Sequence, residues 1–443
     1  MSVGLQIAIA FGSIAVLLGL MAVVRHLAHV AGLNGEVQRK LVHVGTGLYA
    51  MGLPWLFPDR WPVYMLIGVT LIVMALLRLP AFARLGAAVH SVERRSYGDF
   101  LLAASVGLCF FLAEGTALFY ILPIAVLTVA DAAAALAGTT YGRRHFQVED
   151  GQKSIEGSVV FFFIALLISI ICFMFLSDLP PANILTLSVM VAAFGTLVEA
   201  QSWRGFDNLF LPLGLLIFLA IHSENSLLEL AGLAAVFLAA SVCFRLVGTR
   251  FGLTNHASRV YVVAMFLILA VTDMQNAVLP GLVLMAHAWA NICNPSEDNY
   301  GELDIVASLA LFSFGWLLLG NAIGANAVSF YGLTATGLVM GLSTIALKQR
   351  LLGVAIVGLA LLALREVLML FNPESSRWAE PLALVAVGCV VLSACATIVN
   401  ARFFDKERVL KLTVLALLLP VASYLTMVVS GREELIMQVK LSS

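Results

Sequence analysis

Charge is scarce in this chain. Asp, Glu, Lys and Arg make up 12% of the 443 residues, against 61% hydrophobic, where a soluble domain carries roughly 25% charged and 45–50% apolar residues. That scarcity excludes a water-soluble globule. The formal net charge of −1 predicts nothing about partners, but the chain lacks the basic patch that a nucleic-acid binder needs. Cysteine is sparse too. Cys109, Cys172, Cys243, Cys293, Cys389 and Cys395 lie in or beside apolar runs without a C-x-x-C pair, which argues against metal or disulfide roles and predicts buried free thiols. The stretch from Met1 to Val24 lacks a positively charged start and a cleavage-site pattern, so it reads as a retained first helix rather than a signal peptide.

What the chain has instead is long apolar runs, with a mean hydropathy of +1.00. The run from Gly157 to Leu176 is long enough to cross a bilayer, which takes about 20 residues. Hydropathy predicts an all-α, polytopic transmembrane bundle of roughly sixteen spans in two halves. Their centres fall near Ala15, Ala50, Val69, Val106, Val126, Ala165, Val191, Leu216, Ala235, Phe266, Leu284, Leu311, Gly332, Val357, Ala386 and Leu417, those at Val106 and Leu216 being short. With the N-terminus outside, every one of the 25 lysines and arginines except Arg60, Arg365, Arg377, Arg432 and Lys440 falls in cytoplasmic loops. That asymmetry predicts a multi-pass protein of a bacterial-type inner membrane with its polar loops in the cytoplasm.

Four polar stretches share that face: "QRKLVHVGTG", "ERRSYGDF", "GTTYGRRHFQVEDGQKSIEG" and "VEAQSWRGFDNLFLPLG". Asp131 is the most telling residue. It lies seven positions before Gly138, about 10 Å inside the helix end, where a carboxylate is costly unless it is paired or faces a wet cavity. A neighbouring helix could satisfy it for packing alone; the small residues around it, Ala132 to Ala135, also let a ligand approach. Lys153 and Ser154 open an outward-running helix, whose positive end is an anion site. An interface lysine beside a capping serine is the plainer reading there. Gln152 stands where a Walker A loop needs glycine.

Glu199 ends one span and Asp207 with Asn208 begins the next, oxygen donors that suit Mg²⁺ or serve as helix caps. Lys40 and His43, three apart, share a helix face with Arg39 beside them and could clamp a phosphate or anchor the helix. Arg94, Arg95 and Asp99 carry the same ambiguity, as do Arg143 and Arg144, which follow Tyr141 and Gly142. Cations for phosphates together with acids for a metal are the kit for phosphoryl transfer.

The ordered pieces "RKLVH", "ADAAAALAGTTYGRRH", "KSIEG" and "EAQSWRGFDNLFLPL" resemble the phytol kinase and dolichol kinase (polyprenol kinase) family of CTP-using integral membrane transferases, over about residues 35–220. The resemblance implies transfer of the γ-phosphoryl of CTP, or a related nucleotide, with Mg²⁺, to an isoprenoid alcohol such as phytol, farnesol or dolichol. It implies catalytic roles for Asp131, Lys153, Glu156 and Glu199. Nucleotide and phosphate contacts fall to Arg39, Lys40, His43, Gly138, Gly142, Lys153, Ser154 and Gly157. Metal ligation falls to Asp131, Glu199, Asp207 and Asn208. Many relatives carry Gly where this chain has Ala130, a mild departure.

A phosphatidate cytidylyltransferase is the related alternative, without that enzyme's C-terminal signature. A lipid or lipid-phosphate transporter is the other, with Asp273, His287, Glu297, Asp298, Asp304, Arg365 and Glu366 lining a path. Residues 1–225 are expected to form the kinase-like domain. Residues 226–443 repeat none of its motifs; they are expected to form a second helical domain serving stability, oligomerisation or lipid handling. Its small residues Gly320, Gly324 and Ala327, or Gly337 and Gly341, could pack helices together. The expected partners are the nucleotide, the alcohol and the bilayer, with room for homo-oligomers.

Overall fold

The computed structural model describes residues 1–33, 35–77, 98–148, 151–201, 205–251, 253, 255–272, 274–298, 301–348, 350–372 and 382–430. These are overwhelmingly helical and divide into two compact units, Met1–Ala234 and Ala235–Ser443. Among the described residues eleven helices are long and apolar enough to cross a membrane, and Trp61–Leu76, Gly98–Leu112, Asp207–His222 and Ser258–Leu269 are shorter apolar helices. The protein is a multi-pass integral membrane protein. The segments expected to be short, at Val106 and Leu216, are among these shorter helices. The second segment is displaced from expectation: its helix runs Gly35–Met51 and is centred near His43 rather than Ala50.

The first unit contains α1 (Val3–Ala31), α2 (Gly35–Met51), α3 (Leu53–Leu56), α4 (Trp61–Leu77), α5 (Gly98–Leu112) and α6 (Ala117–Ala125). A π-helical turn, Val126–Ala130, then joins α6 to α7 (Asp131–Tyr141). A short hairpin follows, β1 (His145–Val148) antiparallel to β2 (Gly151–Ser154), pairing His145 with Ser154 and Phe146 with Lys153. Helices α8 (Ile155–Leu176), α9 (Pro181–Ala200) and α10 (Asp207–His222) complete it. Helix α11 (Leu227–Val247) contains the division between the units.

Absent side chains set two close approaches in this unit. A Cβ on Gly157 of α8 would lie 2.9 Å from the Ala134 carbonyl and 3.4 Å from the Gly138 Cα of α7. Gly47 of α2 faces the π turn, where a Cβ would overlap the Thr128 side chain. Gly47→Ala must therefore shift α2 or the π turn, each of which carries site groups. We expect a cost of about 1–3 kcal/mol in stability, as for an overpacked core, and at least a ~10-fold loss of activity from the misplacement. Gly45→Ala, which meets only the end of the Leu20 side chain, should be milder. Detergent-solubilised melting curves and turnover of the two variants compare them.

The second unit is built around α15 (Val328–Ala346), which is buried almost throughout. It packs against α13 (Met274–Cys293), α17 (Leu382–Val399) and α18 (Arg408–Val429). The remaining helices are α12 (Asn255–Val271), α14 (Gly301–Ile323) and α16 (Leu351–Leu370). Gly337 and Gly341 face Ala416 and Leu412 of α18, so this pair works as a packing face. Gly320, Gly324 and Ala327 do not: Gly320 faces Ala325 and Ala327 of the turn that follows its own helix, and Gly324 has φ +78° within it.

Several polar residues considered for a transport path have partners within the second unit. Buried His287 meets Tyr261 Oη at 2.7 Å. Asp298 accepts the backbone N–H groups of Glu407 and Arg408, and Glu297 pairs with Lys406. Buried Arg365 pairs with its neighbour Glu366 at 2.5 Å. Asp273 lies outside the described residues. All six cysteines are free thiols, yet only Cys109, Cys172 and Cys389 are buried, while Cys243 and Cys395 are exposed.

Candidate active site

Asp131 begins α7 directly after the π turn. Pro123, inside α6, removes an amide donor just upstream, and an interrupted ladder is a recognised cause of local helix distortion. Such π turns recur at functional sites because they re-aim neighbouring groups. The Leu127 carbonyl inside the turn meets His43 Nε2 at 3.2 Å. A carbonyl can only accept, so Nε2 carries a proton.

Lys40, one turn before His43 on α2, donates to Asp131 Oδ2 at 2.6 Å, with both side chains about 95% buried. His43 Nε2 stands 3.6 Å from the same oxygen. The intramembrane carboxylate is thus paired, as its desolvation requires.

A second ion pair lies beside it. Lys153, on β2, donates to Glu199 Oε2 at 2.5 Å and also to the Glu199 backbone carbonyl. Glu199 sits in the last turn of α9, and Asp207 opens α10. One carboxylate oxygen each from Asp131, Glu199 and Asp207 fall within 4.8 Å of one another. Residues drawn from α2, the hairpin and three further helices therefore meet at one point. Three converging carboxylates would repel unless cations separate them, and Lys40 and Lys153 do so. The donor set is all oxygen, half-buried to buried, which fits a hard divalent ion such as Mg²⁺.

Other expected site residues have different neighbours. Asn208 is buried, but its amide donates to the Gly98 carbonyl at 2.9 Å and so ties α10 to the start of α5. Ser154 accepts the Gly157 N–H at 3.0 Å and caps α8. Gly138 and Gly142 crowd Ser154, where a Cβ would come within 2.8 Å of its Oγ or 2.9 Å of its Cβ. These glycines seat α7 against the start of α8. Glu156 accepts the backbone N–H groups of Arg143 and Arg144 and is not in the carboxylate cluster. Arg39 and Tyr141 are exposed. Arg78, Arg84, Arg94, Arg95 and Arg204 lie outside the described residues, while Asp99 stands in the first turn of α5. Sequence reading missed the π turn, Leu127 and Gly47; Pro123 within an apolar run and the glycine of "VHVGTG" were the available signals.

Over 215 residues the chain is 34% identical to a phytol kinase of Synechocystis sp., an alignment that takes in 46% of this chain and 88% of that protein. The chain belongs to the phytol kinase family. No family model and no solved structure matches it. A kinase of this family needs a nucleotide donor and a lipid alcohol acceptor. Among the described residues no other group of three metal-binding side chains converges in this way.

Proposed function

We propose that the first unit transfers the γ-phosphoryl group of CTP to a long-chain isoprenoid alcohol such as phytol, farnesol or dolichol. The observation that carries this reading is the convergence of Asp131, Glu199 and Asp207 with Lys40 and Lys153. The relationship to a phytol kinase supports it. The alcohol oxygen attacks the γ-phosphorus, the bond to the β-phosphate oxygen breaks, and the nucleoside diphosphate leaves with release of the alcohol proton.

Asp131, Glu199 and Asp207 would hold Mg²⁺, which when bound supplies charge neutralisation for the donor phosphates. Each lysine presents three N–H donors, and an ammonium now resting on a carboxylate can share them with a phosphate oxygen brought against it. Asp131 stands within the candidate span Ala117–Tyr141, which supports a reacting end that a lipid hydroxyl reaches without leaving the bilayer. Residues 226–443 would serve as a separate bundle without a kinase centre, for stability, self-association or lipid handling.

Purified protein, CTP, UTP and ATP labelled in the γ-phosphate, a parallel sample of CTP labelled in the α-phosphate, and a panel of phytol, farnesol, dolichol, diacylglycerol and phosphatidate test the proposal. Label should appear in an isoprenyl monophosphate, most strongly with CTP. Incorporation of cytidylyl into phosphatidate without γ-phosphoryl transfer would establish the cytidylyltransferase instead, and no transfer to any alcohol would end the kinase reading.

A further inference from the structure

Glu156 brings a carboxylate close to the site in sequence yet spends it elsewhere. Its Oε2 accepts the N–H of Arg143 at 3.1 Å and of Arg144 at 3.3 Å, and its Oε1 also accepts the latter at 3.3 Å. Successive backbone N–H groups converging on one anion form a concave nest, here filled by the protein's own side chain. The strap is reciprocal, because Ile155 N–H donates back to the Arg144 carbonyl at 2.9 Å. It closes the base of the hairpin, with residues 143–144 entering β1 and residues 155–156 leaving β2. Glu156 also stands in the first turn of α8, where the helix dipole favours a negative charge.

Lys153 is on the strand that this strap fixes, one residue before the Ser154 cap. The hairpin itself is only four residues per strand, too short to hold its shape without support. The ammonium of Lys153 can therefore rest on Glu199 only if the base of the hairpin is held.

We propose that Glu156 is a positioning residue: it locks the hairpin base so that Lys153 is presented to the donor phosphates, and touches neither metal nor substrate. This rests on the kinase reading of the first unit. A phosphate taking the nest from Glu156 is the competing role; the strap opposes it, since displacement would unmake both charge-assisted bonds and the favourable helix-end charge together.

Glu156→Ala and Glu156→Gln separate the roles, by steady-state kinetics and by hydrogen exchange at the Arg143 and Arg144 amides. With Ala, both amides should exchange faster, and KM for the nucleotide should rise ~10-fold with KM for the alcohol unchanged. With Gln, a neutral acceptor oxygen remains, with hydrogen bonds about half as strong as the charge-assisted ones. Its activity should stay within ~3-fold of the parent. Two results would overturn the proposal. One is equal loss of kcat in both variants with unchanged exchange, which makes the carboxylate catalytic. The other is a lower nucleotide KM in both, which makes it a stand-in for phosphate. If the parent protein transfers no phosphoryl group the kinase reading fails, and unchanged exchange in Glu156→Ala would separately refute the strap.

Discussion

Asp131→Asn should lower kcat at least ~10²-fold, the scale of losing electrostatic stabilisation at a phosphoryl-transfer centre. The amide keeps the shape but not the charge that draws Lys40 and a divalent ion together. Removing that charge also strands Lys40, which is 6% exposed at its side chain, and an unpaired buried ammonium costs about 3–5 kcal/mol. Misfolding could then imitate a catalytic defect. The Lys40→Met, Asp131→Asn double variant removes both charges and should recover a melting temperature near that of the parent while remaining inactive. Labelled-phosphate transfer and detergent melting curves read the two effects apart. A stable double variant with near-normal turnover would return Asp131 to a packing role.

Lys153→Ala should lower kcat/KM for the nucleotide by about 10²-fold while leaving KM for the alcohol unchanged. A charge-assisted hydrogen bond to phosphate is among the strong ones, and the lysine's stem lies in the hairpin rather than in a membrane-facing helix. Its present partner, Glu199, is less deeply buried than Asp131, so its loss should disturb folding less than an Asp131 substitution. Initial rates with each substrate varied in turn measure the split. Equal losses on nucleotide and alcohol would mean that Lys153 holds the structure together and does not meet the donor.

The sequence made the all-helical, multi-pass architecture legible because apolar runs of membrane length have few other outcomes. Asp131 could be singled out because a carboxylate within a span is costly, and Glu199 and Asp207 because their oxygens suit a hard cation. Their mutual approach was expected only through the family resemblance, since it depends on how α7, α9 and α10 pack. The pairing of lysines with acids could not be read: Lys40 reaches Asp131 across 91 positions, and Lys153 reaches Glu199 across 46. Glu156 was expected to be catalytic and the glycines of "GTTYG" and "KSIEG" to contact phosphate; in the structure Glu156 meets backbone N–H groups and the glycines allow a tight α7–α8 approach. Gly320 misled for a simpler reason: small residues in a span pack helices in one place and permit a turn in another, and spacing alone does not tell which.

The central claim is that Asp131, Glu199 and Asp207 form one divalent-ion centre for the donor phosphates. Electron paramagnetic resonance of Mn²⁺, substituted for Mg²⁺ and titrated with a non-hydrolysable CTP analogue, tests it most directly. The full-length protein should bind about one ion, with ³¹P coupling from the analogue, and both signals should vanish in Asp207→Asn and in the Lys40→Met, Asp131→Asn variant. Equal Mn²⁺ binding and undiminished ³¹P coupling in the parent and in both variants would contradict the account.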